Sequence, residues 1–547
     1  MANQRKPIGQ LLKEKGYITE EYIDFAVREQ KATGEKLGEV LVRWGIVTDA
    51  EIAYCISEQS GIPFVDLETI FPDPDAFKKV PSRIIQTHHI LPFALKDGEI
   101  YVAISDPFNN QLISLIERTI PGKVKFFVAA PTVINKFIER YLYFVENPID
   151  KQVEELVERL RLNPNLDFDV EEVLFNLLSL GIYKRATDIH FTPTEKSLQV
   201  FLRIDGLLEP LVIFPQSIYR KLINIIKIKS NLDISETRLP QDGRFSFEFL
   251  EEKYDLRVST VRAAFGENVV IRFLPTGAHV QNLAYLGFSE EQASLLREIS
   301  LKPYGMFLIT GPTGSGKTTT LFSCLRLLNL LEKNVLTVED PIEYKIALIR
   351  QTQLNEEIGY TFARAIRTFL RQDPDVILVG EVRDEETASM AVRAALTGHL
   401  FLSTLHTNDA VSTIFRLKEM GVSVDLLAST LKGVVAQRLV RKICPNCKER
   451  YDPPKELLNY YDLPEDAEYY RGKGCPQCRG KGYVGRTVVA EILYVDEELT
   501  KFLAEEHTFR EILDTVKSRG FKPLIEDAKR KVLEGITTVE EIRRVVG

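Results

Sequence analysis

The sequence of 547 residues lacks three features that would each point to a particular class of protein. It has no stretch close to the roughly 18 to 20 consecutive apolar residues of a membrane-spanning helix, and its start, MANQRKPIGQ, has no apolar centre of a signal peptide. It has no basic excess either, because 70 Lys and Arg stand against 78 Asp and Glu. These absences predict a cytoplasmic protein that reaches a membrane only through partners and binds no nucleic acid.

The length and composition predict a chain that folds throughout into several domains. Domains usually contain about 100 to 200 residues, so three or more are expected here. Hydrophobic residues make up 44% and charged residues 27% of the chain, which is typical of an ordinary folded protein.

Cysteine is scarce, and four of the six cysteines form two C-x-x-C pairs, Cys444 with Cys447 and Cys475 with Cys478. Four thiolates satisfy tetrahedral Zn²⁺ and leave no open position, so the pattern predicts a structural zinc site. A redox role would require a thioredoxin-like setting, which the sequence lacks.

The first sixty residues contain a duplicated unit. Residues 8–30 align with residues 37–59 at an offset of 29, including the glycine pairs Gly9/Gly38 and Gly16/Gly45. Each copy predicts a short apolar helix ended by glycine, a threonine N-cap and a second amphipathic helix. Thr48 with Glu51 forms a capping-box pattern.

Changes of pattern along the chain predict the domain organisation. Mixed α/β patterning follows the duplicated unit, with two strands joined at Asp97-Gly98, and later segments alternate like an antiparallel sheet with a turn at Asp205-Gly206. The predicted divisions are an N-terminal regulatory or docking domain (1–145), a linker (146–165), an α+β domain (166–277), a linker (278–285), a domain of alternating strands and helices (286–440), a zinc-binding element (441–490) and a C-terminal helical region (491–547).

A phosphate-binding loop follows the apolar run MFLIT. Residues 311–318, GPTGSGKT, match the template in full, and Lys317 is expected to reach the β and γ phosphates while Thr318 binds Mg²⁺. Glycine-rich backbone would surround the phosphates of ATP. The expected ATP-binding residues of this loop are Gly311, Pro312, Thr313, Gly314, Ser315, Gly316, Lys317, Thr318 and Thr319.

Acidic residues follow further apolar strands, which predict a parallel sheet covered by helices. Glu339, Asp340 and Glu343 stand at or after the end of one strand, and Glu381 follows another, so these acids are expected to hold metal or water near the phosphates. His406 follows a fourth strand and could sense the γ phosphate. A lone histidine, His406 or His399, is more often a structural hydrogen-bonding group.

The order of four segments resembles the type II secretion and type IV pilus assembly ATPase family. These segments are GPTGSGKTTTL, VEDPIEY, LRQDPDVILVGEVRDEETA and TGHLFLSTLHTNDA, and the likeness continues upstream through ATDIHF, RIDG, LPQDGR and DLRVST and downstream through the cysteines. The resemblance implies a RecA-like core with a parallel sheet, preceded by an α+β PAS-like domain and an N-terminal helical-repeat plus α/β domain.

The resemblance also implies roles for individual residues. Glu343 would be the general base, Glu381 would hold Mg²⁺, and His406 would belong to the histidine box. Arg244, Arg257 and Arg272 match family positions whose domain closes on the nucleotide, although ordinary strand-face arginines with surface partners would give the same pattern. Arg262 stands where the family often has proline, which gives it less weight.

The duplicated unit resembles the cyclic di-GMP binding module found at the front of some assembly ATPases. The residues that would contact the dinucleotide are Ile8, Gly9, Gln30, Lys36, Leu37, Gly38 and Gln59. The first motif has Pro7 where the family has arginine, so Arg5 or Lys6 would substitute. A helical docking domain for a membrane-platform partner is a compatible alternative.

The family resemblance implies a homo-hexameric cytoplasmic ATPase that works through an inner-membrane platform protein to assemble pilin or pseudopilin. The tetracysteine element favours an assembly motor, because pilus retraction ATPases generally lack it. A DNA-directed translocation ATPase and a non-catalytic signalling scaffold are the alternatives, and the acidic balance and the intact acidic residues respectively count against them.

Overall fold

The computed structural model describes residues 6–96, 98–120, 122–275 and 282–547. The chain folds into two compact units. The first contains residues up to Val80, Pro92–Ala130 and His279–Gly547, and the second contains Pro81–Leu91 and Pro131–Ala278.

The duplicated sequence forms four helices, two from each copy. Their bounds are α1 Ile8–Glu14, α2 Glu20–Thr33, α3 Leu37–Arg43 and α4 Asp49–Ser60. Thr48 accepts a hydrogen bond from the Glu51 N–H, and the Glu51 carboxylate accepts one from the Thr48 N–H, so the predicted capping box is present. We refer to α1–α4 as the helical repeat.

A small three-stranded sheet follows, in the order β1, β2, β3. Its elements and the helices that follow are α5 Pro74–Lys78, α6 Ser82–His88, β1 Leu91–Lys96, β2 Glu99–Ile104, α7 Asn110–Thr119, β3 Lys123–Val128, α8 Pro131–Glu146 and α9 Ile149–Leu162. Asp97, at the predicted turn between β1 and β2, lies outside the described residues.

The second unit contains a six-stranded antiparallel sheet in the order β6, β5, β4, β9, β8, β7. Its elements are α10 Val170–Tyr183, β4 Asp188–Pro193, β5 Ser197–Ile204, β6 Leu207–Pro215, α11 Tyr219–Lys229, β7 Gln241–Phe249, β8 Glu252–Ala263 and β9 Gly266–Pro275. Asp205 and Gly206 have φ angles of 48° and 84° and join β5 to β6, as their turn chemistry predicts.

Residues 286–440, the predicted ATPase domain, and the segment after them share a seven-stranded sheet in the order β12, β11, β13, β14, β10, β15, β18. All pairs are parallel except β15 with β18. The elements of this region from α12 to α18 are α12 Leu283–Leu286, α13 Glu290–Ser300, β10 Gly305–Thr310, α14 Lys317–Leu325, β11 Val335–Glu339, β12 Arg350–Gln353, α15 Phe362–Phe369, β13 Val376–Val379, α16 Glu385–Leu396, β14 Leu400–Leu405, α17 Ala410–Glu419 and α18 Val424–Thr430.

The remaining elements extend this sheet and surround the cysteines. They are β15 Leu431–Ile443, β16 Lys448–Tyr451, α19 Lys455–Tyr460, β17 Tyr469–Gly472, β18 Tyr483–Tyr494, α20 Glu497–Leu503, α21 Phe509–Ser518, α22 Leu524–Leu533 and α23 Val539–Val545. Strands β10, β13 and β14 are buried along their whole length, as expected for parallel strands covered on both faces.

The hydrophobic cores show what covers the large sheet. One core joins the sheet to α15–α18, while the other joins it to α13, α14 and the helical repeat. Leu41 and Trp44 of the repeat lie in the same buried cluster as Phe322 and Leu325 of α14. The helical repeat is therefore packed on the helix that follows the phosphate loop.

Lys227 of α11 supplies a test of the second unit's stability. Its side chain is fully buried, pairs with Glu267 and donates to the Glu236 carbonyl at 2.7 Å. We expect Lys227→Met to leave Glu267 buried without its partner and to lower the opening free energy of α11 and β9 by about 3–5 kcal/mol. Hydrogen exchange measured by mass spectrometry on the full chain reports this change.

Lys229→Met is the matched control, because Lys229 lies on the same helix but forms a partly exposed pair with Glu171. Its loss should cost less than about 1 kcal/mol. Equal losses in the two variants would contradict the importance assigned to burial.

Candidate functional site

The phosphate loop runs from the end of β10 into the N-terminus of α14. Gly316 is the N-cap of α14 with φ of 85°, which an L side chain rarely adopts. A Cβ on Gly311 would lie 2.5 Å from the Gln437 carbonyl oxygen, so β15 approaches the loop too closely for any other residue. The Gln437 amide also donates to the Ser315 carbonyl at 2.8 Å. The loop is thus held from beneath by β15.

Lys317, the first residue of α14, turns its ammonium back onto the loop. Its Nζ donates to the carbonyls of Gly311 at 2.8 Å and Pro312 at 3.2 Å. Burial lowers the pKa of Lys317 to about 8, a shift that Glu381 opposes and Arg438 reinforces. The lysine ammonium therefore lies where phosphate oxygens could take the place of the two carbonyls as hydrogen-bond acceptors.

The other loop residues fall into exposed and buried sets. Pro312, Thr313 and Gly314 are exposed, whereas Ser315 is buried. Thr318 is half-buried in the first turn of α14, and the Thr319 hydroxyl is 2.9 Å from the Tyr344 hydroxyl.

The acids after β11 occupy different environments. Glu339 is 3% exposed and accepts hydrogen bonds from the Thr337 hydroxyl at 2.7 Å and the Gln351 amide at 2.9 Å. Burial raises the pKa of Glu339, and the nearby Glu343 charge contributes in the same direction. Asp340 and Glu343 are both exposed. These two acids face solvent, while Glu339 lies beneath them.

Glu381 lies just beyond β13 and is contacted from two sides. Arg383 forms an ion pair with one oxygen, and His406 Nε2 is 3.2 Å from the other. Arg383 also lies 3.4 Å from Asp340, so it links the acids that follow β11 and β13. His406 follows β14 and belongs to this group. His399 lies at the opposite end of β14, where its Nδ1 is 3.0 Å from the Ala394 carbonyl.

Sequence reasoning missed Arg383, Gln437 and Arg438. Arg383 stands in the quoted segment GEVRDEETA, and its spacing two residues after Glu381 was the available signal. Gln437 and Arg438 come from β15, whose half-polar sequence carries no motif. Arg438 donates to the Asn408 carbonyl at 2.9 Å, and its positive charge contributes to the lowered pKa of Lys317.

The three predicted arginines of the second unit lie in one cross-strand row. The strand register places Arg244 opposite Arg257, Arg257 opposite Arg272, and Arg272 opposite Asp188. Asp188 is in turn opposite Arg203, which was not predicted. Arg272 Nε donates to Asp188 at 3.0 Å. Arg244 and Arg257 form no ion pair with any of the described residues.

The four clustered cysteines meet the geometric requirement for a metal. Their sulfur atoms lie within 4.8 Å of one another, and the Cys444–Cys475 and Cys447–Cys478 sulfurs are each 3.7 Å apart. A tetrahedron with metal–sulfur bonds of about 2.3 Å has edges of about 3.8 Å. The N–H groups of Gly474 and Gly482 donate to the Cys447 and Cys478 sulfurs. This donor set fits a metal that prefers thiolates.

The residues predicted to contact a dinucleotide lie on all four helices of the repeat. Ile8 and Leu37 open α1 and α3, and a Cβ on Gly9 would lie 3.1 Å from Leu37 Cδ2. A Cβ on Gly38 would lie 3.2 Å from Ile52 Cδ1. Gln59 donates to the Lys6 carbonyl at 3.3 Å and so connects the end of the second copy to the start of the first.

The remaining predicted residues of this set are Gln30 on α2 and the exposed Lys36, the N-cap of α3. Arg5 lies outside the described residues.

Comparison with known proteins identifies the family. Residues 140–544 match the family described as type II/IV secretion system protein, which is well over half of the chain. The chain belongs to this family. Residues 60–147 match the MshEN domain. This second match begins at Ser60, the last residue of α4, so none of the seven dinucleotide candidates lies within it.

Three curated relatives extend the likeness. The type IV pilus assembly ATPase PilB of Thermus thermophilus is 39% identical over 94% of this chain, which spans 59% of that relative's length. PilB of Myxococcus xanthus is 36% identical over 98% of both chains. Type II secretion system protein E of Pseudomonas aeruginosa is 45% identical over 69% of this chain and 76% of its own length. The family and these relatives make the chain an ATP hydrolase, and they do not favour the DNA-directed alternative.

The X-ray structure of the ATPase DotB of Legionella pneumophila has the same fold in the region that it covers. Its TM-score is 0.50 at 23% identity, over 68% of this chain and 94% of that one. Among the described residues, no helix is both long and apolar enough to cross a membrane.

The low pKa of Lys317 predicts that nucleotide binding depends on pH. Above pH about 8 the nucleotide-free lysine is mostly neutral, and phosphate binding must restore its proton. The affinity for MgADP should therefore fall by up to about tenfold per pH unit above pH 8, with proton uptake on binding. Calorimetry at pH 7 and pH 9, in buffers of different ionisation enthalpy, measures both quantities. Equal affinities of the wild type at pH 7 and pH 9, or the same pH dependence in Lys317→Met, would disprove that Lys317 causes the pH dependence.

Proposed function

We propose that this chain is the subunit of a hexameric motor that hydrolyses ATP to assemble pilin or pseudopilin through a membrane-platform protein. The observation that carries the proposal is the meeting of the phosphate loop, the acids after β11 and β13, and His406 at one edge of a parallel sheet. The similarity to pilus assembly and type II secretion ATPases supports this class of work. The motor would act at the cytoplasmic face of the membrane.

The site residues would divide the chemistry of ATP hydrolysis. Lys317 would leave the Gly311 and Pro312 carbonyls to neutralise β and γ phosphate oxygens. Thr318 and Glu381 would hold Mg²⁺, which offsets negative charge on the phosphates. Glu343 lies nearer the solvent than Glu339 and close to it, so it is the acid best placed to orient water. Glu339 would support the strand end beneath it, and His406 would respond to the γ phosphate through Glu381.

The arginine row would supply positive charge to a nucleotide, within or between subunits. Like charges directly opposite each other destabilise a sheet, so Arg244 beside Arg257 costs stability unless an anion lies against them. Arg272 is already paired with Asp188, which leaves Arg244 and Arg257 as the members best able to bind phosphate. A charge of this kind can contribute about 10³–10⁵ in rate.

Steady-state ATP hydrolysis tests the catalytic assignments. Glu343→Gln should lower kcat about 10²- to 10⁴-fold, because a carboxamide cannot accept the proton of water, while MgADP binding is retained. Glu357→Gln, at an exposed acid beyond β12, is the control. Full turnover in Glu343→Gln would refute the mechanism, and wild-type levels of pili and secreted protein in cells carrying only Glu343→Gln would refute the motor.

Arg257→Gln should lower kcat strongly, whereas Arg262→Gln on the same strand should not.

We propose Zn²⁺ as the metal of the cysteine cluster, because four thiolates and no open position suit a structural zinc site. Burial raises the pKa of Cys447 to about 11, so metal binding at neutral pH would release protons.

Elemental analysis of the full chain should find one zinc ion per subunit. Cys475→Ser should lose the metal and lower the melting temperature, because a hydroxyl is a poor replacement for a thiolate ligand. Cys55→Ala, which changes a buried cysteine outside the cluster, should keep it. Zinc-free wild-type protein, or equal metal loss in both variants, would exclude this site.

We also propose that the helical repeat binds cyclic di-GMP where α1 and α3 begin. The close contact of Gly9 with Leu37 brings the two motifs together, and exposed Lys36 adds positive charge beside them.

Calorimetric titration of the full chain with cyclic di-GMP should detect binding that Lys36→Ala weakens at least about tenfold, since one charge-assisted hydrogen bond is worth about 1.5–3 kcal/mol. Lys31→Ala is the control, because Lys31 is an exposed lysine on α2 outside the candidate set. Absence of binding to wild type would leave the repeat as a docking domain only.

A further inference from the structure

A buried ion pair joins the helical repeat to the helix that follows the phosphate loop. Glu51 of α4 and Arg326, the C-cap of α14, have side chains only 6% and 7% exposed, and Arg326 Nη2 donates to Glu51 Oε2 at 2.8 Å. The same nitrogen donates to the Ile46 carbonyl at 2.6 Å. The other Glu51 oxygen accepts from the Asn282 amide at 2.9 Å. One carboxylate therefore caps α4 and holds the end of α14.

The helix held in this way begins in the ATP site. α14 starts at Lys317 and has nine residues, so Arg326 lies about 14 Å along its axis from the phosphate loop. A helix of this length is stiff, and anchoring one end limits movement of the other. The anchor is remote from the phosphates but belongs to the element that presents Lys317 and Thr318.

The repeat contacts two further segments next to the site. The Tyr22 hydroxyl accepts from the Leu330 N–H at 2.8 Å, just beyond α14. Gly45, in the turn between α3 and α4, packs against Ile346, since a Cβ on Gly45 would lie 3.5 Å from Ile346 Cγ1. Ile346 follows the segment that carries Glu343. The repeat thus touches the chain on both sides of Glu339 and Glu343.

We propose that Glu51 and Arg326 are positioning residues for ATP, which fix α14 so that the phosphate loop is preorganised. Removing either charge leaves the other charge buried without its opposite charge, which destabilises the contact far more than losing a surface pair would. The phosphate loop binds ATP in both the ground state and the transition state, so a less ordered loop should raise KM and leave kcat nearly unchanged. This inference rests on ATP hydrolysis and is independent of dinucleotide binding.

The test compares full-length Glu51→Gln, Arg326→Gln and Arg326→Lys with wild type. We expect the two glutamine variants to raise KM for MgATP about three- to tenfold with kcat within about twofold. Arg326→Lys should bring KM back towards the wild-type value, because the bonds to Glu51 and to the Ile46 carbonyl come from a single nitrogen, which the lysine ammonium can replace. Hydrogen exchange should become faster across residues 317–330 in the glutamine variants only.

Glu39→Gln is the matched control. Glu39 accepts from the Lys36 N–H at the start of α3, as Glu51 does for α4, but its side chain is 58% exposed. Glu39→Gln removes the charge of a capping carboxylate, as Glu51→Gln does, and leaves an oxygen that can still accept from the N-cap N–H, but it does not touch α14. Unchanged KM in both glutamine variants, a loss confined to kcat, or an equal effect of Glu39→Gln would each overturn the proposal. If Glu51→Gln fails to fold, the comparison of Arg326→Gln with Arg326→Lys decides the outcome.

Discussion

The parallel pairing of β11, β13, β14 and β10 is the constraint on which the ATP site depends. Parallel strands that are in register end at the same edge of a sheet, so residues far apart in sequence emerge side by side. Glu339 ends one of these strands, and Glu381, His406 and the phosphate loop follow the others. The hydrophobic burial of both sheet faces fixes this pairing, and the chemistry of the edge follows from it.

Charged side chains at this edge of the sheet contact one another or the backbone. Arg383 and His406 contact Glu381, while Lys317 is directed onto backbone carbonyls. Each of these contacts uses a group that ATP or Mg²⁺ would need. Nucleotide binding would therefore exchange one set of electrostatic contacts for another, and small movements of the loops would accompany it.

The first unit is also joined at two places by contacts that the sequence motifs do not reveal. The helical repeat is joined to α14 through Glu51 and Arg326, and the segment between Cys475 and Cys478 contacts β1 of the small sheet. Between those cysteines, the Gln477 side-chain amide donates to the Phe93 carbonyl at 3.2 Å, and the Gln477 backbone carbonyl accepts from the Phe71 N–H at 3.2 Å. A structural metal would thus stabilise an interface as well as its own loop.

The sequence by itself determined the local chemistry of this protein. The phosphate loop, the Thr48 capping box, the Asp205-Gly206 turn and the cysteine pairs depend on residue types at short spacing, and all are present. The apolar strands β10, β11, β13 and β14 were also predictable, because continuous burial leaves a clear pattern. The polar edge strand β12 and the half-polar β15 have no such pattern and could not be predicted.

Only the tertiary structure decided how these parts meet: it buried Glu339 beneath Glu343, aligned Arg203 with the predicted arginines, and placed the helical repeat against α14. Such outcomes depend on strand register and on which apolar face covers which, and both are set by long-range packing. An amphipathic pattern specifies that a face is buried, but the partner that buries it is chosen by the fold as a whole.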